Sequence, residues 1–190
     1  MTMTMEKNMR KAKRTIRRFL REQKALAATE FALALPFLLT LYLGFAQLAR
    51  VDAYHSRVGD TASTINDLVA KLPQVGTAQL DAVMLAGAAI AGSIGPQIQV
   101  QVIGVSVDDQ GDATVLWSRG RNATPPAAGL PYDLPDSLTN EAGFIVVTKS
   151  EYNYDWSPTK FAPMPPVNIK YNYYHVPRSS DITDCVGCNT

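Results

Sequence analysis

Apolar and polar positions along the chain fall into three regimes. From Phe31 to Ala49 (FALALPFLLTLYLGFAQLA) no residue carries a charge, and most are Leu, Phe or Ala. As a helix rising about 1.5 Å per residue, this run matches the ~30 Å hydrocarbon thickness of a bilayer and is predicted to span it. Beyond it, Val51, Tyr54, Val58, Ala62, Ile65, Val69 and Leu72 recur every three or four residues, the stripe of an amphipathic helix. Arg50, Asp52, His55, Arg57, Asp60, Asn66 and Asp67 lie between them and read as a solvated face, and Pro73 ends the pattern. One long helix is therefore expected from about Leu26 to Leu72. A second, shorter helix fits Ala78 to Ala91, stopped by Gly92.

From Gln97 the period changes to two. Ile98, Val100 and Val102 alternate with glutamines, and Val105 and Val107 continue in the opposite phase, so a bulge is expected around Gly104. Asp108-Asp109-Gln110-Gly111 reads as a turn, with Thr114–Ser118 returning as a partner strand. Residues 122–140 hold four prolines and read as an irregular surface loop. Two further strands are predicted at Val146–Trp156 and Val167–Val176. Tyr152, Tyr154 and Trp156 share one face of the first, and Ile169, Tyr171 and Tyr173 one face of the second. The expected fold class is α+β: a long N-terminal helix, a short second helix and an antiparallel sheet of about four strands. The aromatic face of that sheet is read as core packed on the helix, the alternative being an adhesive or sugar-binding patch.

Charge adds direction. The first 24 residues hold nine Lys/Arg against two acidic residues, and the remainder nine against fifteen, although the formal net charge is only +1. Cations flanking an apolar span on one side (Arg14, Arg17, Arg18, Arg21, Lys24) predict a cytosolic N-terminus and an exported body. The same asymmetry accounts for the basic head without nucleic acid. Three segments follow: a basic leader (1–25), a transmembrane helix (26–49) and an exported domain (50–190).

Candidate chemistry is sparse. Cys185 and Cys188 in DCVGC are read as a local disulfide of an oxidising compartment. With only His55 and His175 available as further ligands, no metal site is expected, and His55 reads as plain surface. No nucleophile-elbow motif, phosphate loop or metal-spaced His pair occurs, so neither enzymatic activity nor a cofactor is expected. Asn122-Ala123-Thr124 matches a glycosylation sequon by a common coincidence.

Glu30 is the informative residue. A carboxylate inside a membrane segment costs roughly 2.5–3.5 kcal/mol at the bilayer centre and less at the rim, and a simple anchor gains nothing from it. A basic head and apolar run also describe a secretory signal peptide, with Gly44-Phe45-Ala46 as its cleavage site and Gln47 as the new terminus. The run is long for that role. A cut between Ala25 and Leu26 would instead remove the cationic leader and leave Glu30 as the fifth residue of the product.

That arrangement resembles the class III signal peptides of type IV pilins and pseudopilins. The string ATEFALALPFLLTLYLGFAQLAR, with Glu30-Phe31 opening the helix, Pro36 within it and Arg50 closing it, is similar to the TadE/TadG family of the tight-adherence (Flp) pilus system. YNYYHVPRSSDITDCVGC is similar to that family's ending. Ala25 departs from the pattern, which usually has Gly before the cut. The resemblance implies a pilin-like fold and a minor pseudopilin in the bacterial inner membrane, possible component of a surface pilus. Implied partners are a prepilin peptidase, other minor and major pilins, inner-membrane platform proteins of the pilus machine and the lipid bilayer. Glu30, with Phe31, would set assembly register by pairing with the new α-amino group of Leu26 on a neighbour, and Pro36 would kink the helix. Two alternatives stay open: an uncleaved inner-membrane-anchored periplasmic scaffold of the same complex, and a secreted adhesin or binding protein.

Overall fold

The computed structural model describes residues 23–72, 75–140, 142–155, 165–177 and 184–188. Two units are distinguished, one ending at Ala49 and one beginning at Arg50. Among the described residues, the first consists of the leading part of helix α1 (Gln23–Ala70).

In the second unit, the rest of α1 buries Val58, Ala62, Ile65 and Val69 completely, with Val51, Tyr54 and Leu72 at the margin of the same core. The predicted stripe is the buried stripe. Asn66 departs from the expected polar face: it is buried, and its Oδ1 accepts a hydrogen bond from Thr148 Oγ1 at 3.0 Å. Its angular position explains this, since Ala62, Asn66 and Val69 are spaced four and three apart and share one side of the helix.

A two-residue strand, β1 (Val75–Gly76), leads into helix α2 (Thr77–Ile90), which buries Leu80, Met84, Gly87 and Ala88. Gly87 lets the two helices touch: a Cβ there would run into Ile65. After Ala91 the chain turns at Gly92, whose φ of 64° is open to glycine without strain, close to the expected stop.

Four strands follow: β2 (Gln99–Val107), β3 (Ala113–Arg121), β4 (Gly143–Tyr154) and β5 (Val167–His175). They form an antiparallel sheet in the order β3-β2-β4-β5. The α+β expectation of a long helix, a short helix and four antiparallel strands describes the chain. Trp156, assigned to the third predicted strand, lies outside the described residues.

The expected bulge is found at Gly104, in the β2–β3 ladder. β2 pairs with β4 in unbroken register from Gln99↔Glu151 to Val107↔Gly143. Only the β2–β3 ladder shifts, from Gly104↔Trp117 to Val105↔Val115, so the extra residue is Leu116 on β3. The phase change along β2 has another cause: both faces of the sheet are covered. Val100 and Val102 meet the helices with Trp117, Val146 and Ile169, whereas Ile103, Val105 and Val107 join a second core with Ala113, Val115, Ile145, Val147 and Leu134.

Leu134 comes from the proline-rich segment, which is irregular as expected but is more than a surface loop. It is buried, and its neighbours line the outer edge of β3: Gly129 N–H donates to Val115 O (2.8 Å), Val115 N–H to Leu130 O (2.9 Å) and Tyr132 N–H to Ala113 O (2.9 Å). A last strand, β6 (Cys185–Val186), pairs in parallel with β1.

Candidate membrane and assembly segment

The residues singled out near the N-terminus lie in one continuous helix. Ala25 and Leu26 fall within its first turns, followed by Glu30, Phe31 and Pro36. From Ala27 to Phe45 every side chain is exposed, including Phe31 (62%), Leu33 (79%) and Tyr42 (70%). The segment is long and apolar enough to cross a membrane, and none of its apolar window is buried within the chain. A core helix of a soluble domain would be mostly covered, and this window is not covered by the described residues of the chain. At about 25 cal/mol per Å² of apolar surface, so much exposed hydrocarbon is costly in water and favours a cover of lipid or other apolar chains.

Glu30 is the only charged residue between Lys24 and Arg50. At about 1.5 Å per residue, the helix from Glu30 to Arg50 rises roughly 30 Å, so the two charges bracket one hydrocarbon thickness. The Glu30 carboxylate is exposed, and no ion pair or side-chain hydrogen bond among the described residues involves it. On a helical surface it aligns with Ala34 and Phe37. Its flank thus offers a carboxylate over an apolar patch.

Pro36 stands six residues further, in a helix that continues to Ala70. Proline has no N–H, so the Ala32 carbonyl loses its usual donor. Thr40 Oγ1 donates to the Pro36 carbonyl at 2.7 Å, occupying an acceptor one turn later. Thr40 was not singled out in the sequence; a Thr four residues after a helical Pro is the signal that marks it.

The cysteines belong to the second unit. Cys185 and Cys188 are disulfide-paired with Cα atoms 5.6 Å apart, and both pack against the helix-side core. The link closes the turn at Gly187, where φ is 81°, beside the β1–β6 pair. Its setting is that of a staple.

Other polar groups are engaged structurally. The face carrying Tyr152 and Tyr154 packs on the helix, with Tyr54 centroids 5.6 and 4.8 Å from theirs, as the core reading expected. His55 is half-buried rather than plain surface: its Nδ1 lies 3.3 Å from the Tyr171 hydroxyl, with the rings edge to face. Asn122, of the sequon, has φ 55° and uses its side-chain amide on the Pro96 and Ile98 carbonyls (3.0 and 2.9 Å).

Arg119 donates bidentately to Asp81 (2.9 and 2.8 Å), tying β3 to α2 and holding the Asp81 carboxyl below its ordinary range. Burial raises the Tyr132 phenol above the usual tyrosine range, and Lys149 lies 4.8 Å over its ring. An open groove of about 270 Å³ crosses the outer sheet face past Gln99, Gln101, Lys149, Glu151, Lys170 and Asn172. No set of three or more His, Cys, Asp or Glu side chains among the described residues is placed to hold a metal ion. Comparison with family models, with curated proteins and with solved structures finds no match to this chain.

Proposed function

We propose that the chain is a minor, pilin-like subunit of the tight-adherence (Flp) pilus machine, anchored through residues 26–49 with its C-terminal body exported. The observation that carries this reading is the uncovered apolar helix with a lone carboxylate at its leading rim. A plain anchor needs the apolar run alone. A subunit that packs helix against helix also needs a polar contact to fix its axial position, and a carboxylate among apolar chains is stable only with a cationic partner. Removal of the leader before Leu26 would create such a cation, since an α-amino group is charged at neutral pH. The resemblance of residues 28–50 to TadE/TadG proteins supports the same reading, and a helix-on-sheet body behind the apolar segment is compatible with it. The proposed partners are a prepilin peptidase and the other pilins and platform proteins. The role is structural rather than enzymatic.

Ala25, in place of the usual Gly, favours one second reading, an uncleaved scaffold of the same complex. Sequencing the N-terminus of the membrane-bound protein separates these. Leu26 is expected; Met1 would leave only the scaffold, and Gln47 would replace both with a secreted protein. Glu30→Ala is expected to insert in the membrane at the normal level while pilus assembly fails. Undiminished surface pili from that variant would remove the register role.

A further inference from the structure

The C-terminal turn is anchored by side chains whose chemistry can change. β6 meets β1 through two register pairs, Val75↔Cys185 and Gly76↔Val186. Val186 is 80% exposed, whereas Cys185 and Cys188 pack against the helix-side core. Among the described residues, the apolar anchors of this turn are thus the two sulfur side chains themselves. Gly187, between them, comes close to the start of α2: a Cβ there would lie 3.6 Å from the Thr77 methyl. That helix begins at Gly76 without a side-chain cap, so its first turn gains a neighbour from the same docking.

A ladder of two residue pairs is weak, because ordering each residue costs about as much as its contacts return. The disulfide removes part of that cost beforehand. It closes Cys185-Val186-Gly187-Cys188 into a ring, so the turn is already shaped when it docks. Reduced, both cysteines stay small and apolar, but the ring opens and the ordering cost returns. The ring joins positions only three apart, so it restrains little of the unfolded chain and its effect is local. Neither cysteine is fully buried, which leaves the bond within reach of a small thiol or of another protein's dithiol.

We propose that the Cys185–Cys188 disulfide is a redox latch on the C-terminal turn. Oxidised, the turn docks on β1 and covers Val75, which is 2% exposed. Reduced, it leaves β1 and uncovers that end of the core. Closing the latch oxidises two thiols, and an incoming disulfide accepts their two electrons. One thiolate attacks that disulfide, the second cysteine resolves the mixed disulfide, and the partner departs as a dithiol carrying the two protons. The link to compartment rests on the proposed export of the body. Thiols stay reduced in the cytosol and pair outside it, so this corner is completed only once the C-terminus has crossed.

The test is amide hydrogen exchange on the full-length chain in detergent. Three samples are compared: oxidised, reduced by a phosphine, and the Cys185→Ser/Cys188→Ser double variant. Exchange over residues 75–80 is expected to accelerate about tenfold or more in the reduced chain and in the variant, while β2 and β4 keep their protection. Oxidised glutathione should restore slow exchange to the reduced parent and not to the variant, which separates loss of the bond from altered packing. Equal protection of residues 75–80 with and without the bond overturns the latch, since the thiols would then dock as well as the disulfide. Loss of protection throughout the sheet also overturns it, by making the bond a brace for the whole domain. Exchange is read on purified protein, so failure here and failure of the export reading are told apart.

Discussion

Gly104 sits where β2 passes under the largest buried side chain. A Cβ at this position would run into the Trp117 indole and the Phe144 ring, whose centroids lie 6.1 Å apart. Gly104→Ala is therefore expected to lower stability by about 1–3 kcal/mol, the range for overpacking a filled core. Gly143→Ala, with nothing within 4 Å of the added carbon, should change little. Thermal unfolding of both variants beside the parent checks the contrast. Legibility at this scale followed spacing more faithfully than residue type. Val58, Ala62, Ile65 and Val69 were read correctly from their period alone. Asn66 was set on the wet face for its chemistry, although its angle placed it inside, and His55 for the same reason. A buried amide is tolerated there because Thr148 reaches it from β4, and no pattern within α1 announces a partner so distant in the chain.

Between elements, the clearest polar tie joins α2 to β3 through Asp81 and Arg119. Hydrogen bonding from Arg119 pulls the Asp81 pKa down; burial opposes it, and the charge of the arginine adds a smaller downward pull. The sign follows: the folded state holds this carboxylate more acidic than the unfolded chain does, so the tie stabilises fully above the ordinary aspartate range. Its contribution is lost as pH falls through the depressed value. Both side chains are partly exposed, so the effect is small and screened by salt. Asp81→Asn is expected to melt slightly below the parent at neutral pH, with the gap closing on acidification below pH ~4. Parallel melts across pH check this; a gap unchanged in strong acid would assign it to packing. Strand existence was legible from alternation, and strand faces were less so. The bulge at Gly104 was legible, but the shifted phase of β2 has a different origin, a second covered face; Leu134 and its neighbours supply that cover from a segment whose prolines hid its buried role. The β1–β6 pair is two residues long, too short for any periodicity to reveal.

For the molecule as a whole, the apolar run and the charge asymmetry carried most of what could be read. They gave a long apolar helix near the N-terminus, because such a helix is specified by composition rather than by contacts with the rest of the chain. The partner proposed for Glu30 belongs to another polypeptide, where one sequence offers only complementarity. The central place of β2 has a consequence in time. Only residues 108–112 separate it from β3, but 108–142 separate it from β4. A chain emerging from a ribosome or an export channel can close the first hairpin early, with α1 and α2 already made, and then holds an open flank and one uncovered greasy face in water until the long excursion has passed. Such late, non-local closure invites clumping. The stretch through Asn140 must clear the exit before β4 can close that flank, so any delay there lengthens the vulnerable interval.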